Sequence, residues 1–322
     1  MSGDVIERLE EHGRRHARNV TYSSGKWSQL VSLIPKFELA DFKVAESEPA
    51  NPYLKAVVRL PIKTFERRIP VGIVSNSYPM AQHTDVAEQC LIGVSGLGLD
   101  PAKLKCELGL TELGEWMNLR IYFPAEFNHK HQNGDDLTLR LECFNSVDGS
   151  SRLVLFLGWF RFVCSNGLVI GETMAELRDV HDEHLDLRPI PEMIQGAMNI
   201  LRTDIERLDS WRSSLFNNQE FEAWINNDVS TAYNKKAACR VFHICRSGQD
   251  VEMANPSATG PASERAVEHT IQVPGSPSNA KTLFDVSQAL SWVATNRTNV
   301  PERLAWQAKI PQLLLKLPVT SS

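Results

Sequence analysis

No C-x-x-C pair occurs among the six cysteines, which stand at 90, 106, 143, 164, 239 and 245. This argues against a zinc site built on such pairs, and scattered thiols fit a reducing cytosol. Long hydrophobic runs are missing too. The longest, such as Leu153 to Leu157, fall far short of a bilayer, so no membrane association is expected. The opening residues Met1 to Glu7 lack a basic stretch followed by an apolar one, so no secretory signal is expected and the chain reads as cytoplasmic. No lysine follows Gly149 at P-loop spacing, which leaves a nucleoside triphosphatase unsupported. No Ser/His/Asp order, Gly-rich dinucleotide loop or paired-carboxylate spacing is discernible. The chain is therefore expected to be non-enzymatic and to carry no cofactor. A strong positive balance is also absent: the net charge is −5, which argues against a wholly electrostatic nucleic-acid binder.

What is present is an ordinary globular composition, 42% hydrophobic and 23% charged over 322 residues, enough for one large domain or two ordinary ones. Charge is unevenly spread. Residues 172–192 hold seven acids and two bases, whereas residues 1–68 hold twelve bases and nine acids. Such asymmetry points to an anionic partner at the start and a self-shielding or cation-facing segment in the middle.

The apolar periodicity divides the chain in three. Residues 1–36 form an N-terminal helical arm, with Val5, Ile6 and Leu9 as a short apolar face and a second helix over Lys26–Leu33 that stops at Pro35. Residues 37–188 read as β-rich. Strands are expected at 37–44, 54–60, 69–75, 104–110, 117–123, 137–144 and 153–163, with one helix from Thr84 to Leu97. The connections are too short for parallel crossovers, so the strands are expected to be antiparallel. Residues 189–322 read as helical, beginning with a five-turn pattern from Ile194 to Trp211 after Pro191. That half is interrupted by a Pro- and Gly-rich stretch at 253–279, expected to be a long mobile loop. Strands followed by helices make the fold class α+β.

Five groups of residues are candidates for function. In the run Asn145-Ser146-Val147-Asp148-Gly149-Ser150-Ser151, Asp148-Gly149 is a turn signal. The polar side chains serve either a hairpin or a loop that binds phosphate or a base edge. Trp159 and Arg161 share one face of a strand and suit base stacking and phosphate contact, the structural alternative being core packing and an ion pair. Cys164 lacks a neighbouring base or an electropositive setting, so a nucleophile is not supported. His181 and His184 lie among carboxylates and form a weak metal candidate against the plainer reading of a solvated acidic linker. Arg14, Arg15, Arg18 and Lys26, with Tyr22 and Trp27 interleaved, suit single-stranded nucleic acid, or else a solvated helix face.

Beyond these chemical readings, Asn145 to Ser151 followed by Phe160-Arg161-Phe162-Val163-Cys164-Ser165-Asn166-Gly167 resembles the phage/plasmid-like protein family of unknown function. Members carry an Asn-Ser-His-Asp-Gly-Ser-Ser signature and a downstream Arg-x-Val-Cys-x-Asn segment. Gly72 to Tyr78 and Leu283 to Trp292 look like flanking family segments, so the likeness covers about residues 70–295. Val147 stands where the signature has histidine. The resemblance implies a mobile-element context and no established activity. It makes Asn145, Ser146, Asp148, Gly149, Ser150, Ser151, Arg161, Cys164 and Asn166 one polar network at neighbouring strand ends. The sheet-then-helices outline is also similar to single-strand-annealing proteins. Taken together, the leading expectation is single-stranded DNA binding in replication, transfer or recombination of such an element. The alternative is a protein–protein module, regulatory or anti-defence, facing a host or element-encoded protein. Oligomerisation is open.

Overall fold

The computed structural model describes residues 19–64, 66–129, 137–161, 169–176, 185–198, 200–255 and 260–320. Its side-chain description excludes residues 160, 161, 169–176, 200–202 and 204. In chain order the elements begin with strand β1 (Thr21–Gly25), helix α1 (Trp27–Leu30), β2 (Phe37–Asp41), β3 (Leu54–Arg59) and β4 (Ile69–Ser75). Helix α2 (His83–Ser95) then precedes β5 (Lys105–Leu110), β6 (Trp116–Tyr122), β7 (Leu137–Ser146), β8 (Val154–Arg161) and β9 (Val169–Glu176). The C-terminal half holds α3 (Ile190–Ala197), α4 (Ile200–Ser213), α5 (Asn218–Trp224), α6 (Lys235–Ser247), β10 (Gln249–Met253) and β11 (Val267–Gln272). It closes with α7 (Leu283–Thr295), α8 (Val300–Ala308) and α9 (Ile310–Leu315). The α+β class and the order of strands before helices are as the sequence predicts.

The main sheet has six strands in the order β1-β5-β6-β7-β8-β9, each pair antiparallel. Its alternation is strict. Cys106, Leu108, Met117, Leu119, Ile121, Leu139, Leu141, Cys143, Leu155 and Leu157 point to one face and are buried. Helices α2 and α3 pack together, α2 lies on β7, and α3 reaches β9. The same apolar core continues into the C-terminal half through Trp224, Phe242, Ile244, Leu290 and Val293. The two halves thus share one core. Helix α8 lies across the opposite sheet face, with Val300 and Leu304 on Trp116, Tyr122, Phe144, Val154 and Phe156. A smaller antiparallel sheet, β2-β3-β4, docks through a third apolar cluster of Phe37, Val57, Val74 and Val147.

Several elements differ from the sequence pattern. Strand β1 is an edge strand of mainly polar residues and carries no apolar alternation to reveal it. Strand β9 takes up 169–176, so the acidic run at 172–192 begins inside the sheet rather than as a linker; Leu157 pairs with Glu172. The five-turn pattern after Pro191 is two helices, α3 and α4. The stretch 253–279 is not a structureless loop: it contains a short 3-10 turn at Ala262–Glu264 and β11, which pairs with β10. A π-helical segment at Ile225–Val229 and a single turn at Ser230–Ala232 follow α5, and Pro311 lies in the first turn of α9. Among the described residues no helix is long and apolar enough to cross a membrane.

Candidate functional site

Two polar clusters lie around the main sheet, one at the end of β7 and one on the face beneath α8.

The first is the Asn145–Ser151 run. It forms the turn between β7 and β8, and most of it is buried: Asn145, Ser146 and Val147 are all 0% exposed. Asp148 caps the turn, accepting from the Ser150 amide at 3.1 Å and from Ser150 Oγ at 2.6 Å. Ser150 Oγ in turn accepts from Trp116 Nε1 at 2.8 Å. Ser146 Oγ donates to the Ser151 carbonyl at 2.9 Å and accepts from the Ser151 amide at 3.1 Å. Gly149 has φ +74°, a left-handed conformation that favours glycine. A Cβ there would lie 3.2 Å from Val74 of β4. Gly72 is packed as tightly: a Cβ on it would come within 2.8 Å of the Asp148 Cβ.

Asn145 reaches back to the start of α2. Its Nδ2 donates to the Ala81 carbonyl at 3.1 Å and lies 2.9 Å from His83 Nδ1. His83 Nε2 is 2.9 Å from the Gly114 carbonyl. A carbonyl only accepts, so Nε2 carries the proton and Nδ1 accepts from Asn145. Complete burial drives the His83 pKa down to about 4 and keeps the ring neutral. The run therefore clamps α2 and the small sheet onto the main sheet. Val147 fits this role. Its side chain fills the apolar seam against Phe37, Val57 and Val74, contributing roughly 1.5–3 kcal/mol by burial.

The second cluster is ionic. Cross-strand pairing sets Glu107, Arg120 and Glu142 in one row, and Lys105, Tyr122 and Arg140 in the next. Glu142 is fully buried and meets three guanidiniums: Arg140 at 2.7 Å, Arg120 at 3.3 Å and Arg303 from α8. Burial alone would raise its pKa, but the charges of Arg303, Arg120 and Arg140 outweigh it and hold the carboxyl well below its usual range. Arg303 also donates to Asn118 Oδ1 at 3.0 Å and to Tyr22 OH at 3.2 Å. Arg120 stacks 4.1 Å over the Tyr22 ring and donates to Glu107 at 3.2 Å. Tyr122 OH donates to the same carboxylate at 2.8 Å.

This ionic face opens outward at one corner of the sheet. Lys26 follows β1, and its Nζ donates to the Lys103 carbonyl. Lys103 is 83% exposed and Lys105 58% at the side chain, and Lys105 lies 5.2 Å from the centre of the Tyr122 ring. Among the described residues, the carboxylates at this corner are Asp100 and Glu107, with Glu142 beneath.

The candidates read from the sequence fall as follows. Asn145, Ser146, Asp148, Gly149, Ser150 and Ser151 share one turn but bond in separate groups, Asn145 with Ala81 and His83, Ser146 with Ser151, and Asp148 with Ser150. Trp159 is 4% exposed, in the main core and edge-on to His129, so its ring has no free face for a base. Arg161 is the last residue of β8, opposite Leu137; its side chain lies outside the described residues. Arg14, Arg15, Arg18, Cys164, Asn166, His181 and His184 also lie outside them. Among the described residues no group of His, Cys, Asp or Glu is arranged to hold a metal ion. Lys26 is on the surface at the basic corner. Sequence reasoning missed His83, Arg120, Arg140, Glu142 and Arg303. The signal for three of them was there: Arg120, Arg140 and Glu142 alternate with apolar residues, which places charge on one face of a central strand.

The family model described as Domain of unknown function (DUF932) matches residues 70–293 of the 322. The chain belongs to that family. The DUF932 region runs from β4 through α7 and so takes in the β7–β8 clamp and most of the ionic face. Arg303 and the Lys26 side of the corner lie outside it. The UPF0380 protein YfjQ of Escherichia coli (strain K12) is 37% identical over 71 residues, 22% of this chain and 24% of that protein. The UPF0380 protein YafZ of the same organism is 40% identical over 57 residues, 18% of this chain and 19% of that protein. The match thus spans about a quarter or less of the curated relatives' length. No solved structure matches.

Proposed function

We propose that this DUF932 protein is a non-enzymatic binder of single-stranded DNA, serving a phage, plasmid or integrative element. The mobile-element setting rests on the likeness of the Asn145–Ser151 run to the phage/plasmid-like signature. The observation that carries the binding reading is the pair of exposed lysines at the start of β5, Lys103 and Lys105, with Lys26 on the Lys103 carbonyl and Lys105 5.2 Å from the centre of the Tyr122 ring. Exposed lysines suit the phosphates of a strand, while Tyr122, 8% exposed, offers no free ring face to a base. The burial of Trp159 moves the contact surface away from β8 and onto the β1–β5–β6 corner. Net acidity of the chain confines the contact to this patch and makes it steeply salt-dependent.

The test is fluorescence anisotropy of a labelled single strand against duplex, between about 50 and 200 mM salt. Single strands are expected to bind at low salt and to be lost as salt rises. Replacing Lys103 and Lys105 together, each by Glu, should lower affinity about tenfold or more and flatten the salt slope. Both side chains are exposed, so the fold should be unchanged. Absence of binding at low salt sinks the reading. The second reading is a protein–protein module, and the observation favouring it is strand β11, exposed from Glu268 to Gln272.

A further inference from the structure

A cleft of about 220 Å³ opens between α6 and one face of the β10–β11 pair. Lys236 and Arg240, one turn apart on α6, line one side, and Asp250, Glu252, His269 and Ile271 line the other. The strand register explains the second side. Asp250 stands opposite Ile271 and Glu252 opposite His269, both clear of the irregularity beyond Glu252. Residues directly opposite, and residues two apart along a strand, point to the same face. The polar groups of this cleft are of two kinds. Asp250 is saturated: Oδ1 accepts from Arg240 Nε and from the Val251 amide, each at 2.8 Å, and Oδ2 from Arg240 Nη2 at 2.5 Å and Trp292 Nε1 at 2.7 Å. This holds the Arg240 guanidinium in place and leaves its Nη1 without a partner among the described residues. Lys236, Glu252 and His269 are open: among the described residues none of their side chains has an ion pair or hydrogen bond. An ammonium and a carboxylate thus line one cleft and do not meet.

We propose that this cleft binds a free aliphatic α-amino acid. Lys236 and Arg240 Nη1 donate to its carboxylate, and Glu252 accepts from its ammonium. Its side chain lies on Ile271, an aliphatic surface 66% exposed. The ligand class follows from the unmatched charges. A plain anion would set its charge against Glu252, and a plain cation would meet Lys236 and Arg240; like charges so placed are unfavourable. A ligand carrying both charges satisfies both sides of the cleft. Size points the same way: pockets for drug-sized ligands run from about 300 to 1,000 Å³, and this one is smaller. The inference is independent of the nucleic-acid reading, because the cleft lies in the helical half and Lys103 and Lys105 lie at β5.

The experiment is calorimetric titration of the full-length protein with leucine, isocaproate and isopentylamine. Leucine is expected to bind saturably, at one site per chain. Isocaproate lacks the ammonium and isopentylamine the carboxylate, so each is expected to bind more weakly by about tenfold or more. Glu252→Gln removes the partner of the ammonium, and Lys236→Met removes one partner of the carboxylate while keeping an unbranched stem. Both side chains are exposed, so both variants are expected to keep the wild-type circular dichroism spectrum and to lose about tenfold in leucine affinity. In Glu252→Gln leucine should also lose its advantage over isocaproate, which a general loosening of the cleft would not produce. The comparison of the three probes on wild type decides the matter even if a variant fails to fold. No leucine binding, isocaproate or isopentylamine binding as tightly as leucine, or leucine affinity unchanged in either folded variant would each overturn the proposal.

Discussion

The two faces of the six-stranded sheet come from the same strands and are held by different physics. On one face Leu119, Leu141 and Leu155 are buried among aliphatic neighbours. On the other, one residue along each strand, Glu142 is as deeply set and Arg120 is half-buried beside it, and α8 brings Arg303 to meet Glu142. The apolar face is non-directional and tolerates repacking of similar volume. The ionic face works only while every partner is present, because removing one leaves a buried charge uncompensated. A residue's distance from water therefore does not by itself say what holds it there.

Glu142→Ala tests this contrast most severely. It leaves the buried guanidiniums of Arg140 and Arg303 and the half-buried one of Arg120 without their shared carboxylate and should cost about 3–5 kcal/mol, read as a shift in urea midpoint. Leu141→Ala, its neighbour facing the opposite way, should cost about 2–5 kcal/mol through cavity formation. If Glu142→Ala proves nearly neutral while Leu141→Ala does not, the ionic face is peripheral to stability.

The clamp sharpens the comparison through pH. The folded-state pKa of His83 is lowered from 6.5 to about 4, so the unfolded chain takes up a proton before the folded one does. Its contribution is intact above pH 6.5 and is lost as pH falls to about 4, by about 3 kcal/mol at most. His83→Gln can keep both hydrogen bonds and should flatten stability in that window. Glu142 acts lower: its contribution is intact above pH 4.5 and drains away below it. An unaltered profile in the Gln variant would remove His83 from the account. Gly149→Ala is the mildest change, roughly 1–2 kcal/mol for a left-handed residue, plus the close approach to Val74. A neutral result in thermal melts would mean that the turn relaxes freely.

Much of the fold was legible in the residues. The strands from Lys105 to Arg161 follow period-two alternation, and their short connections dictate antiparallel order. Strand β1 was not legible, because an edge strand with Ser23 and Ser24 carries no apolar signal. Strand β9 was hidden by its acids: a charge run reads as solvated unless its pairing partner is known. The hairpin at β10–β11 was masked by the prolines and glycines around it. At the candidate site, the Asn145–Ser151 turn was visible as a turn, but its inward direction was not. That direction depends on His83, 62 positions upstream of Asn145, and on β4 packing against Gly149. Trp159 illustrates the same limit, since alternation assigns a residue to a face without saying which face is covered.

Arg303 lies 161 positions from Glu142 and 281 from Tyr22, and it hydrogen-bonds both. This sets an order of events on a growing chain. The strands that carry Tyr22, Asn118 and Glu142 emerge from the ribosome long before α8 exists. Until α8 arrives, Phe144, Val154 and Phe156 lack their cover of Val300 and Leu304, and Glu142 lacks its third guanidinium. Closure is a late, long-range step that carries a large loop-closure entropy. A nascent chain stalled before Asn299 would present a half-finished sheet with one wet, sticky face, the kind of surface on which chaperones and aggregation compete.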